Sequence, residues 1–576
     1  IETVDDMFAQ MLNYTVALNL LFIVLFTTIQ ARVFPKPPDI TEDTDHWLKL
    51  SEAHLRRKLV GGRNGEHHLA KNVIIFVGDG MGMPTITAGR ILKGQKKLQY
   101  AGEETQLAFD VFPNVGLAKT YNTDKQVPDS AGTATSLFTG TKTRYGYIGV
   151  DTTSSYANPM DGKLTSIMDW AQANGKRTGF VTTTRVTHAT PAALYAHSPN
   201  RDWECDSAIP DGVPSTAFKD IARQLVEEAP GRRLNVILGG GREMMGVKEK
   251  LYDITQIKMN GSFEQLCPRT DGRDLAEEWL QDNQINSTRQ FVKNTGQLLA
   301  VDTEKVDYLL GLFAQNHIPY NLVRERGASG APSLAQMTTQ AIKILQRPHS
   351  KGFVLMVEGG RIDHGHHQNY ANIALDEFVE LDAAVETALN LTNPKETLII
   401  VTADHSHAMM FNGYATRGND ILEFGNKAQV EPYETLTYAN GPGFLYHRLN
   451  KSQEDHGMSQ TWKHVETIST SEREDPFYQH LSAFPLKDAT HGGEDVPVFA
   501  TGPGSDLIYG VFEQNYIAHV VGFATCMGPT KHLNEECHKY KYFFQRGAAS
   551  NHIPTKTVLS LSLTVVVAAI LSQRWC

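Results

Sequence analysis

Phe353-Val354-Leu355-Met356-Val357-Glu358-Gly359-Gly360-Arg361-Ile362-Asp363-His364-Gly365-His366-His367 runs from an apolar stretch through an acid and two glycines into a segment crowded with imidazoles. Two other stretches follow the same plan: Val73-Ile74-Ile75-Phe76-Val77 leads to Asp79, and Leu398-Ile399-Ile400-Val401 leads to Asp404 and His405. Short apolar runs with frequent β-branching read as strands, and runs without polar alternation read as strands covered on both faces. The pattern predicts an α/β fold with a central, largely parallel sheet flanked by helices on both faces. In such sheets ligands bind beyond the carboxyl ends of the strands, so acids delivered there by separate segments converge on one site.

Asp363 and His367 lie four residues apart, which puts them on one side of a helical turn and lets them share a cation, with His364 and His366 directed elsewhere. Asp404 and His405 are adjacent and meet one metal only where the strand end turns sharply. His491 precedes Gly492 and Gly493, a loop able to approach a metal closely. Mixed imidazole and carboxylate sets suit zinc. Oxygen donors on Glu358, Thr190 and a second oxygen of Asp79 suit a harder ion, magnesium, which fills its octahedron with water. A Gly-Asp-Gly turn or a single histidine is common without any metal, so the weight rests on clusters that follow three apolar runs.

Pro128-Asp129-Ser130-Ala131-Gly132-Thr133-Ala134-Thr135-Ser136-Leu137-Phe138-Thr139-Gly140 reads as a turn opening a short helix that Gly140 stops. Ser130 stands at its start, where a plain N-cap is the ordinary role of a serine. A nucleophilic role needs an activator, and coordination of the hydroxyl by a metal is one. Arg201, in His197-Ser198-Pro199-Asn200-Arg201-Asp202-Trp203, offers a fork for phosphate or a solvated surface charge, and spacing does not choose between them.

The 576 residues contain no repeat, no long charge run and no Gly/Ser-rich or Pro-rich linker, which points to one large domain with insertions. A formal net charge of −10 argues against a nucleic-acid partner and leaves attraction for an anionic substrate to local charge, such as bound dications. Residues 1–31, read from Met11, hold the apolar core Ala17–Phe26 and a small residue, Ala31, at a cleavage position, the layout of a secretory signal. A buried helix or a membrane anchor is the alternative. At the other end, Gly547, Ala548, Ala549 and Ser550 precede a short polar stretch and the apolar run Val558–Leu571, so residues 550–576 read as a glycosylphosphatidylinositol (GPI) attachment propeptide. A short tail anchor is the competing reading. Both ends predict the secreted pathway and the outer face of the cell membrane. Cys526 and Cys537 are near neighbours able to close a small loop, and Cys205 with Cys267 is able to bridge an insertion, although other pairings are open. Asn260, Asn286, Asn390 and Asn450 occupy glycosylation sequons.

From about Lys71 to Cys526 the chain resembles the animal alkaline phosphatases. The similarity rests on Val77-Gly78-Asp79-Gly80-Met81-Gly82, Val127-Pro128-Asp129-Ser130-Ala131, Thr182 to Pro191, Glu358 to His367, Thr402 to His407 and His491-Gly492-Gly493-Glu494-Asp495-Val496. The resemblance implies the alkaline-phosphatase type of α/β fold over 32–549, with a variable crown-type insertion at about 408–490. It also implies broad-specificity hydrolysis of phosphate monoesters through a phosphoserine on Ser130. Two zinc ions and one magnesium are implied per chain: Asp363, His367 and His491 for one zinc; Asp79, Asp404 and His405, with Ser130, for the other; Asp79, Thr190 and Glu358 for magnesium, with His188 close by. Arg201 would clamp the phosphoryl group. The resemblance further implies a homodimer in which Tyr414 reaches the partner subunit.

Two features depart from the family pattern. A calcium site of animal relatives uses a Phe-Glu and an Asp-Pro pair, whereas this chain has Phe313-Ala314 and Ala331-Pro332, so no calcium site is predicted. Thr190 stands where relatives often carry serine, and its hydroxyl retains the donor. Among rivals, a sulfatase needs Cys/Ser-x-Pro-x-Arg, which Ser130-Ala131-Gly132-Thr133 lacks, and a related phosphodiesterase would do without the third ligand set. A surface protein that binds without catalysis would have no need of nucleophile, metal sets and Arg201 together.

Overall fold

The strands of the chain are β1 (Asn72–Gly78), β2 (Asn114–Lys119), β3 (Arg177–Arg185), β4 (Val236–Gly240), β5 (Arg289–Val292), β6 (Tyr308–Leu312), β7 (Phe353–Gly359), β8 (Thr397–Ala403), β9 (Ser406–His407), β10 (Met409–Phe411), β11 (Leu436–Tyr438), β12 (His491–Gly492), β13 (Val496–Thr501) and β14 (Gly510–Glu513). Ten of them form one sheet in the order β14-β2-β13-β8-β1-β7-β3-β4-β6-β5. Every neighbouring pair in it is parallel except those made by β13, which runs against both β8 and β2. The predicted central, largely parallel sheet is therefore present, with one reversed strand. The computed structural model describes residues 41–60, 69–211, 213, 218–247, 267–282, 287–347, 351–425, 433–449, 462–463 and 467–537. The signal region 1–31, Asn260, Asn286, Asn450, Gly547 to Ser550 and the 550–576 propeptide lie outside those residues.

Burial explains why the three quoted runs became the middle of the sheet. All residues of β1, β7 and β8 are buried, as unbroken apolar strands require when helices cover both faces. Two groups of helices do the covering. One joins α2 (Met83–Lys93), α4 (Leu334–Leu345) and the long α6 (Ala371–Leu391); the other joins α1 (Thr44–Val60), α3 (Ser130–Thr139) and α7 (Tyr516–Thr525). Between β7 and α6 lies the short α5 (Arg361–His367), packed on α6.

Register brings the chemistry together. Gly78 of β1 pairs with Gly359 of β7 and with Ala403 of β8, so Asp79 and Asp404 leave the sheet side by side. Glu358 differs from the expectation that each strand stops at its acid: β7 continues through it, and Glu358 pairs with Val77 and with Thr182 of β3. Because β13 is reversed, its beginning lies at the edge where its neighbours end. The residues just before it reach the same place, and His491 pairs there with His407 across β12 and β9. His491 thus sits on a two-residue antiparallel strand, where the sequence suggested a free loop.

Helices α2 and α6 approach closely because Gly89 has no side chain: a Cβ there would overlap the ring of Phe378, which is fully buried. Alanine is the better helix former by about 1 kcal/mol, yet overpacking costs about 1–3 kcal/mol. Gly89→Ala is therefore expected to lower the thermal unfolding midpoint, and Gly89→Ala combined with Phe378→Leu to recover part of the loss.

Candidate metal centre

Three groups of donors meet at the carboxyl edge of the sheet. Asp79, Asp404 and His405 form one; Asp363, His367, His407 and His491 a second; Asp79, His188 and Glu358 a third, each with its ligand atoms within 4.8 Å of one another. Asp79 belongs to two groups and the rings of His405 and His491 stack at 3.6 Å, so the three sets are contiguous. Glycine is required at position 80, where φ is +68° and a Cβ would press on Asp363, while its N–H donates to Asp404 Oδ1 at 3.1 Å.

The imidazoles are held with one nitrogen pointing inward. Nδ1 of His367 faces the carbonyl of Ala489 at 2.5 Å, Nδ1 of His491 that of Pro128 at 2.8 Å, and Nδ1 of His405 that of Ser406 at 3.1 Å. A carbonyl only accepts, so each Nδ1 carries a proton and in the neutral ring each Nε2 presents a lone pair; burial opposes charging of His367, but Asp363 raises its pKa. Those bare nitrogens converge: His367 Nε2 and His491 Nε2 are 3.1 Å apart, at 3.1 Å and 3.4 Å from oxygens of Asp363. Lone pairs facing one another and a carboxylate at such distances are what a cation between them would reconcile, and the outward hydrogen bonds are the usual orienting contacts of ligating histidines.

Four carboxylates, Asp79, Glu358, Asp363 and Asp404, are buried in this small volume. Burial, then Asp404, Asp363 and Glu358, push Asp79 well above the ordinary carboxylate range. Burial likewise raises Glu358 to about 7 and, with Asp363, Asp404 to about 6. Asp363 goes the other way: burial opposes its ionisation, but His367, His407 and His491 outweigh it. The rings of His405 and His491 are lowered by burial to about 4 and about 3, so both are neutral and able to ligate at neutral pH. Several buried polar atoms also lack hydrogen-bond partners, among them Glu358 Oε1, Thr190 Oγ1 and His188 Nδ1, although such atoms are seldom left so. The donor chemistry and these orphaned atoms fit metal ions.

Ser130 is the first residue of α3, and its neighbour Asp129 takes the capping role, accepting from the N–H of Gly132. That leaves the Ser130 hydroxyl free to turn inward, 3.3 and 3.4 Å from the two oxygens of Asp79 and 3.1 Å from His405 Nε2. Arg201, 23% exposed, aims its guanidinium at the same place, with Nη1 on Asp129 Oδ2 at 3.0 Å and Nη2 at 3.3 Å from His188 Nε2. Asp79, Ser130, His188, Thr190, Arg201, Glu358, Asp363, His367, Asp404, His405 and His491 lie in this one region, whereas the cysteines and Asn390 lie elsewhere. Disulfides join Cys205 to Cys267 and Cys526 to Cys537. Asn390 is exposed near the end of α6, and Tyr414 is 98% exposed.

Sequence reasoning passed over three contributors. His407 places Nε2 at 3.3 Å from Asp363 Oδ1, and the signal was its position two residues after His405, on extended backbone. Asp129 fixes Arg201 while accepting from Gly132, Gly146 and Asn122, and an acid immediately before a helix was readable as its cap. Thr182 donates to Glu358 Oε2 at 2.5 Å, a contact set by β3–β7 register and invisible in sequence.

The profile of the alkaline phosphatase family matches residues 70–527. The chain is 52% identical over 510 residues to alkaline phosphatase 4 of Drosophila melanogaster, covering 87% of this chain and 84% of that one. It is 37% identical over 539 residues to the membrane-bound alkaline phosphatase of Bombyx mori, covering 91% and 90%. The solved alkaline phosphatase of the Antarctic bacterium TAB5 superposes with a TM-score of 0.53 at 25% identity, covering 81% of this chain and 100% of that one. The chain belongs to the alkaline phosphatase family, metal-dependent hydrolases of phosphoric monoesters.

Proposed function

We propose that this chain hydrolyses phosphate monoesters in two transfers through Ser130, with two zinc ions and one magnesium bound. The observation that carries this reading is the inward hydroxyl of Ser130, between Asp79 and His405, next to the Asp129 that holds the Arg201 fork. Asp363, His367 and His491 hold one zinc; Asp79, Asp404 and His405 hold the other beside Ser130 Oγ; Asp79, Thr190 and Glu358 hold magnesium, next to His188. Bound there, the cations supply positive charge for the substrate and lower the pKa of hydroxyls and water.

Ser130 Oγ forms a bond to phosphorus as the ester P–O bond breaks, and the alcohol leaves with a proton. Water then attacks the phosphoserine, the Oγ–P bond breaks and inorganic phosphate departs. Two in-line displacements give net retention at phosphorus. Arg201 orients the equatorial oxygens, its fork steadied by Asp129, and its fixed geometry suits a charge that spreads in the transition state. These contacts grip the phosphoryl group and leave the alcohol alone, hence broad specificity.

The same reading places the enzyme on the outer cell surface. Two disulfides suit an oxidising compartment. The order of small residues, polar spacer and apolar run in the tail sequence supports a GPI anchor. Tyr414, 98% exposed, is available to a second subunit of a homodimer.

Ser130→Ala is expected to cut turnover of a chromogenic aryl phosphate at least about a thousandfold, with zinc and magnesium content unchanged. Full retained activity would rule out the covalent step. Metal removal has a pH signature. Glu358 and Asp404 have folded pKa values raised to about 7 and about 6, so without cations these two groups hold more protons in the folded chain than in the unfolded one between about pH 4 and 7. Their contribution to the stability of the stripped protein then falls as pH rises through that window. The loaded protein keeps these carboxylates ionised against metal and escapes the loss, so the gap between the two thermal midpoints is expected to widen from pH 5 to pH 8. A constant gap would contradict the ligand assignment.

A further inference from the structure

His366 sits inside the metal-binding motif, yet the proposed chemistry gives it no task. It is fully buried on α5, one residue before His367, and its ring lies 5.1 Å from that of His407. Nε2 is 2.9 Å from Thr85 Oγ1 on α2, and Nδ1 is 2.9 Å from the hydroxyl of Tyr438 on β11. Burial lowers its pKa to about 3, which leaves a neutral ring with one donor and one acceptor, matched by two hydroxyls.

The next three residues are tied to the same part of the chain. His367 Nδ1 meets the carbonyl of Ala489, and its own carbonyl accepts from the Ala489 N–H at 2.8 Å. Gln368 donates to Asp488 at 2.8 Å and accepts from Gln479 at 3.2 Å. Asn369, in the left-handed region at φ +57°, donates to the Asn440 carbonyl, accepts from Gly443 N–H at 2.8 Å, and takes the His480 N–H on its carbonyl. Four consecutive residues that begin inside the ligand helix are thus bonded to the segment between His407 and His491. The segment ends on another ligand, so it is clamped to the cluster from both sides.

We propose that His366 is a positioning residue that couples the seating of the 408–490 segment to the geometry of the Asp363, His367 and His491 cluster. A shift of β11 moves the Tyr438 hydroxyl, tilts His366 and turns α5, displacing Asp363 and His367 relative to His491. The Asp79, Asp404 and His405 group follows β1 and β8, which lack these contacts; it meets the cluster through the stacking of His405 on His491 at 3.6 Å and so feels the shift at second hand. By linkage, metal in the first cluster must tighten the segment as much as the segment tightens metal. The inference rests on the zinc assignment proposed above.

The test is zinc release from the intact, zinc-loaded chain into excess chelator. In the wild type, the phase due to the first cluster is the one missing in His491→Ala. Contacts one step from a ligand commonly change metal affinity by about 10–100-fold, and here the contact is a step further removed. Tyr438→Phe is accordingly expected to speed that phase by about 3–10-fold and the other phase by less. His366→Gln, which keeps a polar side chain, serves as the second variant and is expected to act in the same direction. Tyr446→Phe, which removes a hydroxyl bonded to Glu472 within the same segment, is the control and is expected to have no effect. Unchanged release in Tyr438→Phe and His366→Gln, or equal acceleration of both phases, or acceleration by Tyr446→Phe, overturns the coupling. A wild type that binds no zinc at this cluster instead overturns the metal assignment, so the two failures are distinguishable.

Discussion

Four carboxylates packed at the carboxyl ends of three parallel strands are the constraint from which the rest follows. Buried in a low dielectric, Asp79, Glu358, Asp363 and Asp404 cannot all ionise without positive charge among them. The protein supplies only part of it: Arg201 is spoken for by Asp129, and His405 and His491 are neutral. Such a site is unfavourable when empty and favourable when filled, which ties metal binding to folding. The same clustered charge that makes the empty site costly lets a filled one hold a phosphoryl group, whose hydrolysis is among the slowest uncatalysed reactions.

The sheet makes this arrangement by register and by one reversal. Parallel β1, β7 and β8 end together, so their acids arrive at a common edge. A further parallel strand beyond β8 would have brought its end there as well; β13, being reversed, instead brings its beginning, and with it His491. Opposite this edge, α3 starts with an aspartate that takes on both capping and Arg201, leaving the serine after it unencumbered. One acid thereby positions at once Ser130 and Arg201, the proposed nucleophile and phosphate clamp.

The central strands were legible because their burial on both faces is written as uninterrupted apolar runs, and the ligand pair Asp363 and His367 because helical spacing places i and i+4 together. Local signals also covered the stop of α3 at Gly140, in the left-handed region at φ +78°. What depended on chain segments far apart was harder. Spacing alone left Ser130 between cap and nucleophile and Arg201 between clamp and surface charge; resemblance to a family chose, and contacts with residues 72 and 275 positions away along the chain are the physical reason. The extension of β7 through Glu358 and the pairing of His491 with His407 are tertiary facts, set by hydrogen bonding to strands that no local window contains.

Zinc itself offers the most direct check on the central claim. Crystals of the purified chain measured on either side of the zinc absorption edge should give two anomalous peaks, one among Asp363, His367 and His491 and one among Asp79, Asp404, His405 and Ser130. Absence of signal at those donors, or zinc found only elsewhere on the surface, would contradict the account.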